Sequence, residues 1–135
     1  MLSKKSQYAF KALVYLTEKY NQGPVLISEI SRKKKVPLKF LENILLELKK
    51  AGILDSKKGK GGGYFLKKDP AKVKVATIIR LVNGPIAMLP CVSLYFYERC
   101  NNFDEKKCGV HDMMIEVRDA SLAILENRTL KDLSL

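Results

Sequence analysis

The stretch Ile53-Leu54-Asp55-Ser56-Lys57-Lys58-Gly59-Lys60-Gly61-Gly62-Gly63-Tyr64-Phe65-Leu66-Lys67 places two short β-favouring runs on either side of a lysine- and glycine-rich tip. Such runs, bounded by glycines, read as a hairpin with strands at 53–56 and 64–67. The glycines let the backbone of the tip approach another backbone closely, while Lys57, Lys58 and Lys60 supply positive charge. A nucleotide-binding phosphate loop needs Gly-Lys followed by Ser or Thr and then a helix. Here Tyr-Phe-Leu follows, which sets an NTPase aside.

Immediately upstream, Leu38, Leu41, Leu45 and Leu48 recur at helical spacing in a segment opened by Pro37 and stopped by Ala51-Gly52. Before it, Ser28 is placed to cap a brief helix through about Lys34, with Ile30 inward and Arg32, Lys33, Lys34 and Lys35 as a basic end. Two short helices joined by a tight turn, the second amphipathic, form a helix-turn-helix; followed by a charged hairpin, they form a winged helix. A first helix over residues 3–20 starts at Ser3 or Ser6 and carries Ala9, Leu13, Leu16 and Tyr20 on one stripe; Asn21-Gln22-Gly23-Pro24 ends it, and 25–27 are extended.

Downstream, Val75, Ile78, Ile79 and Val82 mark a helix over 75–82, closed by Asn83-Gly84-Pro85. Residues 86–109 read as irregular. A last helix over 111–126 has a seam of Val110, Met113/Met114, Val117, Ala120/Ser121 and Ile124 close to a heptad, with Leu122 and Leu125 on another face. A helix apolar on two sides either inserts into its own core or is shared with a second chain, and the expectation is a homodimer. The predicted fold is mainly α with a small β-hairpin wing (α+β). Residues 1–74 make the winged helix-turn-helix DNA-binding region, and residues 75–135 add the cysteine loop and dimerisation helix to the same compact domain.

The charge is divided the same way. The 135 residues carry a net +11, but residues 1–74 hold 18 basic and 6 acidic side chains, and residues 75–135 hold 7 and 8. A basic half beside a neutral half points to a polyanionic partner on one surface, with simple solubility as the bland alternative. On the recognition helix, Lys39 faces guanine or phosphate and Asn43 suits adenine. Glu42, an acid before a polyanion, is either a reader of cytosine's amine or a surface charge balancing Lys39 or Lys49. Lys57, Lys58 and Lys60, with Gly61 and Gly62, belong to a wing at the minor groove, and Lys33, Lys34 and Lys35 lie along phosphates. Lys11, Glu18 and Lys19 interrupt any signal-peptide core, and residues 86–97 are too short to span a bilayer, so a cytoplasmic protein is expected.

Cys91, Cys100 and Cys108 share one loop, and the only histidine, His111, follows Cys108 by three positions. Three thiols and an imidazole form a donor set for a soft metal or an iron–sulfur cluster. The alternative is three unligated cysteines and a surface histidine, since no tight Cys-x-x-Cys pair occurs.

Met1-Leu2-Ser3-Lys4-Lys5 with Tyr8-Ala9, Pro37-Leu38-Lys39-Phe40-Leu41-Glu42, Lys49-Lys50-Ala51-Gly52, Gly59-Lys60-Gly61-Gly62-Gly63-Tyr64, Ile78-Ile79-Arg80 with Gly84-Pro85, the late cysteines and Thr129-Leu130-Lys131-Asp132-Leu133 together resemble the IscR/NsrR/CymR-type bacterial winged-helix repressors over nearly the whole chain. The resemblance implies a homodimeric transcriptional regulator, a repressor, whose long C-terminal helices cross between subunits. It also implies a 2Fe-2S cluster, ahead of a 4Fe-4S one, on Cys91, Cys100, Cys108 and His111, sensing iron–sulfur, nitric oxide or redox status. Cluster-free members imply the alternatives: a thiol-redox switch, Zn²⁺ on the same ligands, or control by a regulatory enzyme partner. Eight and then seven residues separate the cysteines, wider than in the cluster-bearing members. An interaction module docking its last helix on an enzyme is the reading from another class. No Ser/His/Asp set, second histidine or paired carboxylates speak for an enzyme.

Overall fold

Ser3 starts the first helix, its hydroxyl accepting from the Ser6 N–H as the N-cap of α1 (Lys4–Glu18). Ser6 is buried and donates to Asn83 Oδ1 at 2.9 Å; the Ser3 N–H donates to the same oxygen at 2.9 Å. The computed structural model describes residues 1–101 and 104–134 of the chain. Ala9, Ala12, Leu13 and Leu16 form the inner stripe of α1.

The second helix, α2 (Ile27–Lys34), begins before Ser28, the expected cap; Leu26 stands at the N-cap position with no side-chain bond. The cause lies next door. Val25 exchanges two backbone hydrogen bonds of 2.8 Å with Tyr64, so the chain leaves the edge of the hairpin and enters the helix directly. Lys35 ends α2 in the left-handed region at φ 53°, and the chain turns through Pro37 into α3 (Leu38–Lys50). The buried stripe of α3 is Leu41, Ile44, Leu45 and Leu48. Leu38, expected in that stripe, is 45% exposed, because in the first turn it precedes the contact with α1 and α2 and Ile44 fills the inward position.

Strands β1 (Leu54–Lys57) and β2 (Gly63–Leu66) pair antiparallel in the register Leu54 to Leu66 and Lys57 to Gly63. A short turn at Pro70–Lys72 leads into α4 (Val75–Val82), whose Ile78 and Val82 enter the core with Leu13, Leu16, Ile30, Leu45 and Leu66. The long α5 (Gly109–Leu125) follows, and the C-terminal α6 (Leu130–Leu133) returns to the N-terminal helices: Lys74 and Thr129 form a bridge, and Leu130 is fully buried beneath α1. The result is a mostly helical fold carrying a two-stranded hairpin, a winged helix.

Helix α5 starts two residues before the expected 111, with Cys108 as its cap. It buries no residue fully and, among the described residues, rests along one side against α4 and the turn at Pro90–Val92. Insertion into its own core is therefore not what this helix does. Arg118 donates to the Val92 carbonyl at 2.9 Å, and Arg80 pairs with Glu126 at 2.7 Å. Along the other side Val110, Met113, Val117 and Ile124 are 40–60% exposed. Among the described residues no helix is long and apolar enough to cross a membrane.

Candidate nucleic-acid interface and cysteine cavity

The core stripe of α3 turns Lys39, Glu42 and Asn43 outward, and all three are exposed. Phe40 and Leu46 are exposed beside them, at 54% and 44%, apolar surface on the outer face that the charge pattern does not announce. Lys49, by contrast, donates to Ser56 Oγ at 2.7 Å and ties α3 to the hairpin. At the end of α2, Arg32, Lys33 and Lys35 are exposed, whereas Lys34 lies over the Tyr15 ring at 5.7 Å.

Lys57, Lys58, Lys60 and Gly61 are exposed on the wing. Gly62 is buried inside the tip and donates its N–H to the Gly59 carbonyl at 3.0 Å; a Cβ there would collide with the carbonyls of Lys57 and Gly59. At Gly63 a Cβ would strike the Val25 carbonyl, so the bridge between Val25 and Tyr64 requires glycine at that point. These glycines shape the tip, and the lysines are what it presents.

Cys91, Cys100, Cys108 and His111 line one cavity of about 520 Å³ at the start of α5, with Glu105 and Arg99 also in its wall. Cys91 lies within the turn at Pro90–Val92, and Cys100 stands at the end of the segment that follows it. Cys108 is fixed as the cap of α5, its Sγ accepting from the His111 N–H at 3.4 Å. That cap also sets His111 in the first turn, its side chain 16% exposed and its Nδ1 3.5 Å from Asp112 Oδ1. Glu105, which the motif reading did not single out, accepts from the Tyr97 hydroxyl at 2.8 Å and the Cys100 N–H at 3.0 Å. Those two donors, the Cys100 amide foremost, hold its carboxyl below the ordinary range. Burial, and secondly the Glu105 charge, push the Cys91 thiol upward.

Three thiols and an imidazole around one cavity fit an iron–sulfur cluster in donor chemistry. The set is gathered but not closed: among the described residues no three His, Cys, Asp or Glu side chains stand near enough to one another to hold a single metal ion.

Residues 2–134 match the family described as Rrf2, iron-dependent transcriptional regulator. The chain belongs to the Rrf2 family. It is a helix-turn-helix, DNA-binding transcriptional regulator, as its Rrf2 relatives are, and not an enzyme. It is 37% identical to an rrf2-like HTH-type transcriptional regulator of Rhodobacter capsulatus, over 98% of this chain and 91% of that one. Its fold is similar to that of CymR, the global cysteine regulator of B. subtilis, with a TM-score of 0.82 and 28% identity, covering 99% of this chain and 95% of that one. It is also similar to T. potens IscR, with a TM-score of 0.78 and 26% identity over 98% and 85% of the two chains.

Proposed function

We propose that this Rrf2-family regulator is a homodimeric repressor whose cysteine loop carries an iron–sulfur cluster, 2Fe-2S ahead of 4Fe-4S, and reports iron–sulfur, nitric oxide or redox status to the DNA-binding face. One observation carries this reading: Cys91, Cys100, Cys108 and His111, drawn from a long loop and a helix start, line a single cavity. Residues 1–74 are the DNA-binding region and residues 75–135 the loop and dimer helix. Lys39, Glu42 and Asn43 read the major groove, Lys33, Lys35 and the wing lysines hold phosphates, and the exposed seam of α5 is covered by the same seam of a second copy.

The cluster, when bound, supplies a redox- and nitric-oxide-reactive group held by three thiolates and an imidazole. The protein's own part is mechanical. Cys108 and His111 stand at the cap and first turn of α5, and Arg118 on the same helix holds the Val92 carbonyl next to Cys91. Pulling the loop inward to close the donor set therefore pulls on both ends of the first three turns of α5, and with them on the seam that sets the spacing of the two recognition helices.

The open donor set favours a second reading, in which the three thiols act without a cluster as a redox switch. Anaerobic purification followed by a visible spectrum and iron and sulfide analysis decides between them. Bound iron and absorbance that vanish in Cys91→Ala support the cluster. A colourless, iron-free protein with three titratable thiols in reductant and fewer after oxidation supports the switch.

A further inference from the structure

We propose that α1 is a third DNA-contacting element: a track for the phosphate backbone, built on the alternating stripe Lys4, Tyr8, Lys11, Tyr15 and Lys19. These residues recur at spacings of four, three, four and four and so share one face of the helix. The tyrosines seat the lysines. Lys4 and Lys11 each lie 5.9 Å from the centre of the Tyr8 ring, and Lys19 and Lys34 lie 5.8 and 5.7 Å from that of Tyr15. Cation–π seating limits the freedom of a long side chain without neutralising it, so less entropy is lost when a phosphate arrives.

The stripe joins the two elements already assigned to DNA. The Tyr8 ring meets Phe40 of α3 edge-on, with centroids 6.0 Å apart, and Phe40 is the neighbour of Lys39 in the first turn of the recognition helix. At the other end Tyr15 receives Lys34 from the basic end of α2, and its hydroxyl donates to Glu29 at 2.6 Å. Among the described residues, neither Lys4 nor Lys11 forms an ion pair. Of the acids on the adjoining helices, Glu29 accepts from Tyr15 and Glu47 pairs with Lys5, the latter at 2.6 Å, while Glu42 of α3 is exposed beside Lys39. From Lys4 to its C-cap Lys19, α1 spans about 22 Å at 1.5 Å per residue, which, laid along the duplex axis, corresponds to about six phosphates of one strand. That length of fixed, unneutralised charge, continuous with the first turn of α3, is matched by the flank of a duplex outside the groove that α3 enters.

Phosphate contacts position a protein without reading sequence, so this surface is tested on DNA of no particular sequence. The full-length chain is titrated by fluorescence anisotropy against a labelled mixed-sequence duplex across a salt series. Removing one lysine–phosphate pairing lowers the slope of log K against log salt by about 0.9 and costs about 8-fold in affinity near 0.1 M. Lys4→Ala with Lys11→Ala is expected to lower the slope by about 1.8 and weaken binding by about 60-fold. Lys4→Arg with Lys11→Arg keeps the charge and restores both. Lys106→Ala with Lys107→Ala removes the same net charge from the cysteine loop and leaves the slope unchanged. The proposal is overturned if the α1 double variant, folded by circular dichroism, keeps the parental slope, or if the loop double variant loses as much. Neither outcome depends on whether the cysteines bind a cluster.

Discussion

Ile124→Glu isolates the reading of α5 as a dimer seam. Ile124 is 60% exposed in the single chain, with Val110, Met113 and Val117 at 53%, 49% and 40%. Complete burial of such a side chain is worth about 1.5–3 kcal/mol, so covering what Ile124 still exposes is worth about 1–2 kcal/mol. In an isologous interface each substitution occurs twice, which makes about 2–4 kcal/mol per dimer before the cost of desolvating two carboxylates. At about 1.4 kcal/mol per tenfold, the dimer constant weakens by about 30- to 700-fold. Sedimentation velocity across a dilution series reads this directly. Because α5 contributes no fully buried residue to its own chain, the variant monomer is expected to keep its far-UV circular dichroism spectrum. A parental chain that stays monomeric, or a variant whose dimer constant lies within threefold of the parent's, refutes the seam.

Three further outcomes follow from individual contacts. Gly62→Ala forces a Cβ against the Lys57 and Gly59 carbonyls; the tip opens, equilibrium urea unfolding shows a loss of about 1–3 kcal/mol, and anisotropy shows weaker DNA binding at unchanged helix content. Asn83→Ala removes the acceptor shared by the Ser3 N–H and Ser6 Oγ and leaves buried Ser6 with only the Ser3 hydroxyl; urea unfolding is expected to show a loss of about 1–3 kcal/mol. The Arg80 hydrogen bond holds Glu126 below its ordinary range, so the pair's contribution is complete above the unfolded-chain value of about 4.3 and is lost as pH falls through the lowered folded value. Arg80→Gln therefore unfolds at lower urea than the parent at pH 7, and the gap narrows below about pH 4 to a pH-independent remainder from the missing stacking of Arg80 on Tyr95, whose ring centre lies 4.3 Å away.

The hairpin, α3 and α4 were legible because each carries its own periodicity and punctuation: glycines at a tip, leucines at helical spacing before Ala51-Gly52, and a helix closed by Asn83-Gly84. The differences have separate causes: a distant partner, an uncovered turn and an unusual cap. Ser28 does not cap α2 because Val25 is held by Tyr64 from the hairpin. Leu38 is apolar and correctly spaced, yet nothing covers the first turn of α3 there, and Ile44 is the residue buried. Cys108 caps α5 in a position that Ser, Thr, Asp or Asn usually fills, so spacing alone placed the helix start at His111. The donor set was legible as residue types but not as a place, because residues 86–109 have no period to count. Glu105 carries no sequence signal for the same reason: its role depends on Tyr97 and Cys100 folding back onto it.

The distribution of charge and packing separates the cysteine loop from the basic surface within one small chain. Residues 1–74 hold 18 basic and 6 acidic side chains and residues 75–135 hold 7 and 8, so a duplex draws in the first part and not the second. The buried core likewise favours the winged helix, α4 and α6, while α5 lies outside it with no residue fully buried. A few identifiable contacts join the two. Asn83, at the end of α4 where the cysteine loop departs, holds both Ser3 and Ser6 at the start of α1. Arg118 ties α5 to Val92 beside Cys91, and Arg80 ties α4 to Glu126 beyond the end of α5. Under the proposed sensing role, a change at the cysteines would reach the DNA-binding face through Asn83 at one end and through the carriage of α5 at the other. The polar contacts on these routes are individual hydrogen bonds and ion pairs, each worth about 0.5–3 kcal/mol, a range that overlaps typical coupling free energies between two sites.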